Sequence, residues 1–233
     1  MSMSKLSPIP VLTIDGPSGS GKGAVSLRVA QMLGWHYLDS GALYRALALV
    51  ARTADIASDD CTNLVRIGET LDIQFKSEKF ATEVGIFLNG KNVDEAIRGE
   101  DCGDLASKIA VFPPVRTALL QKQRDFRQMP GLVADGRDMG TTVFPDAILK
   151  VFLNASAEIR AERRYKQLKE KGFNVTLLRL LGEIRERDRR DAQRTASPLK
   201  PAEGAYILDT STLNIAEVVD QVCACLAERY KTS

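Results

Sequence analysis

The chain has 233 residues, 44% of them hydrophobic, which is enough to bury one sizeable core with room for an inserted subdomain. A net charge of +2 speaks against the global basic field of many nucleic-acid binders, and a single histidine, His36, speaks against a multi-histidine metal centre or a Ser-His-Asp triad with histidine to spare. The four cysteines, Cys61, Cys102, Cys223 and Cys225, include no C-x-x-C pair and read as reduced thiols. No apolar run approaches the roughly 20 residues of a membrane span, and Met1 to Pro8 lack the apolar segment of a signal peptide; a flexible tail at residues 1–7 and a cytoplasmic location are expected.

In chain order, the apolar, β-prone run Ile9 to Ile14 leads through Asp15 into Gly16-Pro17-Ser18-Gly19-Ser20-Gly21-Lys22-Gly23, and Ala24 to Leu33 reads as a helix. Strand, glycine loop and helix are the context a phosphate-binding loop needs. Glycines let the backbone turn its N–H groups inward around anionic oxygens, the helix points its positive end at the same place, and Lys22 adds a mobile full charge. The loop normally carries Ser or Thr after the lysine to touch Mg²⁺. Here Gly23 and then Ala24 follow Lys22. The Gly-Lys-Gly form resembles nucleoside-monophosphate kinases, in which the next residue usually bears a hydroxyl. Ala24 does not, so one phosphate or metal contact is expected to be missing or made through water.

Trp35 to Leu38 is a short strand leading to Asp39-Ser40-Gly41, followed by a helix over Ala42 to Ala51 and another from Ser58 to about Gly68. Leu71 to Phe75 then alternates apolar and polar residues, Val84 to Leu88 is a second strand, and Asn89-Gly90 is a hairpin-turn signal. This reads as a small antiparallel insertion in an α/β chain. Helices resume at Glu100 to Ala110 and Pro113 to Gln128, and two buried strands follow, Gly131 to Ala134 and Ala147 to Leu153. Ser156 caps a basic helix reaching Glu170, Lys171 to Asn174 break it, and a long helix runs from Val175 to Arg194. Ala205 to Leu208 is the last strand, and Asn214 with Glu217 opens the terminal helix as a capping box. Strands separated by helices imply a parallel sheet covered on both faces.

Polar groups gather at strand ends, where open parallel sheets bind ligands. Asp135, at the end of an apolar strand, stands where a Mg²⁺-organising carboxylate sits in phosphate-loop enzymes, or serves as a turn former. On the long helix Leu177, Leu180, Leu181 and Ile184 make an apolar stripe. Arg187, Asp191 and Arg194 fall within roughly 60° of one another on its continuation. The pattern alone fits a ligand site as well as it fits a solvated helix end.

Taken together, the loop, Leu38-Asp39-Ser40-Gly41-Ala42-Leu43-Tyr44-Arg45, Asp135-Gly136-Arg137-Asp138-Met139-Gly140 and Glu186-Arg187-Asp188-Arg189-Arg190-Asp191 resemble the bacterial cytidylate kinases. Leu88-Asn89-Gly90, Ala106-Ser107 and Val115-Arg116 also match, and the resemblance runs from about Ile9 to Ala227. It implies an α/β phosphate-loop NTPase core, residues 8–70 and 98–231, with a lid at about 160–176 and a β-rich insert of the nucleoside-monophosphate-binding subdomain at 71–97. It implies transfer of the γ-phosphoryl of ATP to CMP or dCMP with Mg²⁺, by a monomer that needs neither nucleic acid nor membrane.

Carried over residue by residue, the resemblance assigns ATP to Gly16 through Ala24, with Arg163 and Arg164 at the lid. Asp138, Ser107 and Arg116 would read the base, with Arg194 nearby; Asp191 and Arg187 would hold the sugar hydroxyls; Arg45 and Arg137 would clamp the monophosphate; Ser40 would belong to the same wall. Lys22, Arg137 and Arg187 would neutralise the transferred group, and Asp135 would organise the metal indirectly. Two readings compete: another small-molecule kinase of this fold acting on a different acceptor, and a nucleotide-dependent switch or nucleic-acid-binding module whose arginines meet a polymer.

Overall fold

The computed structural model describes residues 9–76, 84–170 and 172–231; the tail expected at 1–7 lies outside them. β1 (Val11–Asp15) is buried along its whole length, as a central parallel strand must be. It is followed by α1 (Lys22–Leu33), β2 (His36–Asp39), α2 (Ser40–Thr53) and α3 (Cys61–Thr70). A small sheet of β3 (Ile73–Lys76), β4 (Gly85–Leu88) and β5 (Lys91–Asn92) comes next, then α4 (Asp94–Arg98), α5 (Glu100–Ile109) and α6 (Pro113–Asp125). The chain continues with β6 (Leu132–Gly136), a short π-helical segment (Met139–Val143), β7 (Leu149–Asn154), α7 (Ala157–Glu170), α8 (Leu177–Gln193), β8 (Tyr206–Asp209) and α9 (Ile215–Lys231).

Among the described residues the main sheet has five strands in the order β2-β6-β1-β7-β8, all parallel. The chain leaves β1 toward β2 on one side and later fills β7 and β8 on the other. The order therefore reverses at β1, and the crevice beyond its carboxyl end is where such sheets take ligands. Strand alternation sorts the side chains: Leu12 and Ile14 face α1 and α9 in one core, and Val11 faces Met139, Val143 and Phe144 in another. A third core joins α2, α3, α5 and α6 to the inner face of the small sheet through Ile73, Ile86 and Leu88.

The small sheet is antiparallel, with Leu88 paired to Lys91 across Asn89 and Gly90, whose φ values of 48° and 75° are those of the hairpin turn their sequence signals. α4 escapes a periodicity reading because it has only 5 residues; the carboxylate of its first residue, Asp94, accepts from Ile86 N at 2.9 Å and fixes it to the sheet. The capping box at α9 closes in both directions, Glu217 N to Asn214 Oδ1 at 3.0 Å and Asn214 N to Glu217 Oε2 at 2.8 Å. α8 starts at Leu177 rather than Val175, because the Thr176 hydroxyl accepts from Arg179 N at 3.4 Å as its cap. Its inward stripe is shorter than the apolar spacing predicts. Leu180 and Ile184 are buried and Leu177 is 41% exposed, since it lies in the first turn, out beyond the core.

Leu47 is fully buried on α2 in the largest core. Leu47→Ala should lower unfolding free energy by about 2–5 kcal/mol, the usual result of a buried leucine deletion. Chemical denaturation of the two proteins, compared at equal slope, measures it.

Candidate active site

The loop after β1 takes its shape from positions that no side chain would tolerate. A Cβ on Gly16 would lie 2.2 Å from the Leu153 carbonyl oxygen of β7, and Gly21, the N-terminal flank of α1, has φ 88°. Lys22, the first residue of α1, folds back so that Nζ donates to Pro17 O at 3.2 Å, with the side chain 9% exposed. Burial, joined by the neighbouring Arg137, pushes its pKa down to about 8 against the pull of Asp135 and Asp39.

The strand-end carboxylates are divided between the two faces of the sheet by alternation. Asp15 points away from α1 and accepts from Met139 N and Gly140 N, each at 2.8 Å, so it pins the π-helical segment to the end of β1; burial raises its pKa to about 6. Asp39 and Asp135 are register partners across β2 and β6. Asp39 caps α2 through Ala42 N at 3.0 Å. Asp135 accepts from the Tyr37 hydroxyl at 3.3 Å, and burial raises its pKa to about 7 despite Lys22 and Arg137. Among the described residues no group of three or more His, Cys, Asp or Glu could hold a metal ion alone. Two hard carboxylates beside a phosphate-type loop do suit Mg²⁺, which takes most of its ligands from phosphate oxygens and water.

One large cleft, of about 1240 Å³, is lined by Ser18 through Ala24, by Arg45, by Arg163 and Arg164 of α7, and by Arg187 of α8. Gly16 and Pro17 lie just outside this lining, at the root of the loop. Arg163 donates to the Thr210 hydroxyl at 3.2 Å and also to its carbonyl oxygen, and that hydroxyl donates to Ser20 O at 3.1 Å. Arg45 donates to Ile97 O at 2.8 Å.

The other predicted residues form a buried polar cluster rather than a cleft wall. Arg116 is ion-paired with Asp138, donates to Ala110 O at 3.2 Å, and sits 5.5 Å from the centre of the Tyr44 ring. Arg137 Nε donates to Asp191 Oδ2 at 2.9 Å, which ties the end of β6 to α8. Burial alone would raise the pKa of Asp191, but Arg137, Arg187 and Arg194 together hold it below the usual carboxylate range. Arg194 donates to Ser197 O at 2.8 Å, and burial lowers its pKa. Ser107 on α5 is buried, and its hydroxyl has no hydrogen-bond partner among the described residues. The Ser40 hydroxyl lies 2.6 Å from where a Cβ on Gly136 would stand.

Three residues with a part in this arrangement went unread in the sequence. Asp15 looked like a strand-end residue, and its signal was its place directly before the loop. Thr210 follows the last strand with no motif around it. Arg160 is one of several basic residues on α7, yet it is 4% exposed and donates to Ala155 O at 2.9 Å, to Ser18 O at 3.0 Å and to both oxygens of Asp188. It fastens the loop to α8.

A family model described as cytidylate kinase matches residues 12–228. A cytidylate kinase from Stutzerimonas stutzeri is 56% identical over 224 residues, 96% of this chain and 98% of that protein. One from Aeromonas hydrophila is 56% identical over 92% of this chain and 93% of its own, and one from Methylococcus capsulatus is 54% identical over 95% and 98%.

Lys22 gives a pH signature. Anionic phosphates favour its charged form, so above about pH 8, where the free protein holds Lys22 neutral, nucleotide binding must take up a proton. Triphosphate affinity measured by calorimetry should fall as pH rises from 8 to 10, with proton uptake in buffers of different ionisation enthalpy. Lys22→Met should bind weakly and lose both the slope and the uptake.

Proposed function

The chain belongs to the cytidylate kinase family, and from that membership we propose that it transfers the γ-phosphoryl of ATP to CMP and dCMP, giving CDP or dCDP and ADP in pyrimidine nucleotide metabolism. The observation that carries this reading is the meeting, at the carboxyl edge of one sheet, of a triphosphate loop with a buried Arg-Asp cluster. Arg137–Asp191 and Arg116–Asp138 supply both forks for phosphate and carboxylates for an amino group and a diol.

In this reading the loop from Gly16 to Gly23 holds the donor phosphates, the N–H groups of Ser18 to Gly23 cradling them above the root at Gly16 and Pro17, Ala24 follows as part of the same wall, and Arg163 and Arg164 cover them from α7. Residues 160–176 act as the lid, and residues 71–97 belong to the part that receives the monophosphate. Arg45 and Arg137 grip the acceptor phosphate, with Ser40 beside them. Asp138 accepts from the N4 amino group of cytosine, and Arg116 and the Ser107 hydroxyl supply donors for N3 and O2. Asp191 and Arg187 hold the sugar hydroxyls, and Arg194 backs Asp191 and Asp138 with positive charge.

The acceptor phosphate is already an anionic nucleophile at neutral pH, so no general base is needed. The residues position the two phosphates in line, and Lys22, Arg137 and Arg187 neutralise charge on the group in flight. Asp135, with Asp39 alongside, would hold Mg²⁺ through water, and the ion would add neutralisation at the donor phosphates. Water must be kept out by closure of the lid, or ATP would be hydrolysed instead.

A coupled ADP assay with each monophosphate in turn tests the reading. UMP places a carbonyl oxygen against Asp138, and a buried site built for the opposite pattern rejects it. kcat/KM for CMP should exceed that for UMP by at least about a hundredfold. Asp138→Ala should shrink the ratio chiefly by harming CMP. Asp191→Ala should impair turnover while leaving base preference largely intact. Equal use of CMP and UMP by the unmodified protein would overturn the cytosine assignment.

A further inference from the structure

The hydroxyl that a phosphate loop places after its lysine has no counterpart at position 23 or 24, where Gly23 and Ala24 stand. The space such a side chain would enter is nevertheless furnished. A Cβ built on Gly23 would lie 3.2 Å from Asp135 Oδ2 and 3.9 Å from the Tyr37 hydroxyl oxygen. That phenol comes from β2, whose register sets Tyr37 opposite Val133 and Asp39 opposite Asp135. Tyr37 and Asp39 thus share the α1 face of the sheet. The ring of Tyr37 meets Phe75 edge-on at 6.3 Å, and its hydroxyl donates to Asp135 Oδ2 at 3.3 Å.

We propose that the Tyr37 hydroxyl takes over the work of the missing loop hydroxyl, as a positioning residue that orients Asp135 toward the Mg²⁺ accompanying the triphosphate. The inference rests on the reading of this loop as the ATP site. It concerns only which group serves the metal there. A side chain at position 23 would come within 3.2 Å of Asp135 Oδ2 and into ordinary contact, 3.9 Å, with the phenol from β2, so the Tyr37 hydroxyl and Asp135 already border the place where a Ser or Thr would stand. A tyrosine present only for packing would make its ring contacts equally well as phenylalanine.

Tyr37→Phe removes the hydroxyl and keeps the ring. Binding of a non-hydrolysable ATP analogue is measured by calorimetry twice, with excess Mg²⁺ and with EDTA, beside a thermal melt of each protein. The expected result is a three- to tenfold weaker Mg²⁺-analogue complex, metal-free binding unchanged within twofold, and a similar rise in the Mg²⁺ concentration giving half-maximal CMP phosphorylation. A purely structural role would not separate metal-bound from metal-free binding. Equal Mg²⁺-analogue affinity in the two proteins overturns the proposal, as does an equal loss with and without Mg²⁺. In either case CMP phosphorylation by the unmodified protein leaves the reading of the loop standing. If the unmodified protein fails to bind the analogue at all, that reading falls first.

Discussion

The Arg137–Asp191 ion pair is the contact on which the arrangement depends. Its partners have side chains 14% and 6% exposed, and they join two elements far apart in sequence, the end of β6 and the last turns of α8. Removing one partner of such a pair leaves a desolvated charge, typically a loss of about 3–5 kcal/mol, whereas the intact pair contributes little net stability. Its value here is geometric. It brings α8 against the carboxyl edge of the sheet, so that Arg187 reaches the cleft while Asp191 and Arg194 stay buried.

Around that pair the site is built from charges removed from water and balanced locally. Asp138 is balanced by Arg116, and Arg160 by Asp188 together with two carbonyl oxygens, while Asp15 accepts from two backbone N–H groups and is still raised by burial. Lys22 and Asp135 are left with weaker compensation, and burial moves both toward their neutral forms. In the proposed function a polyanion with its cation would restore the charged state of each, and binding energy would be drawn from groups already in place. Preorganisation of this kind is what charge neutralisation in phosphoryl transfer requires.

The parts legible in the sequence were those with a local physical signature. Strand, glycine loop and helix are contiguous; Asn89-Gly90 dictates its own turn; Asn214 and Glu217 cap a helix within four residues. The inward face of α8 was readable because helical spacing lines Asp191 up with Leu180 and Ile184; Arg194, expected as the last residue of the helix, is the flank just past its end at Gln193. Contacts that close over long separations had no such signature. Asp15 meets Met139 and Gly140 from the far side of β1, Arg160 finds Asp188 in the next helix, and Tyr37 reaches Asp135 across a strand pair. The π-helical segment was hidden for the same reason, since the Asp15 carboxylate rather than its own sequence holds it. The resemblance to a family assigned roles to Arg116, Asp138, Arg137 and Asp191 one residue at a time, but the pairing of Arg116 with Asp138 and of Arg137 with Asp191 came only from the fold.

The central claim is that the buried Arg-Asp cluster, rather than another part of the cleft, receives the nucleoside monophosphate. A crystal structure with CMP bound tests it most directly. The account predicts the cytosine amino group within hydrogen-bond distance of Asp138, the sugar hydroxyls against Asp191, and the phosphate between Arg45 and Arg137. CMP lying elsewhere, with the Arg116–Asp138 and Arg137–Asp191 pairs untouched by ligand, would contradict it.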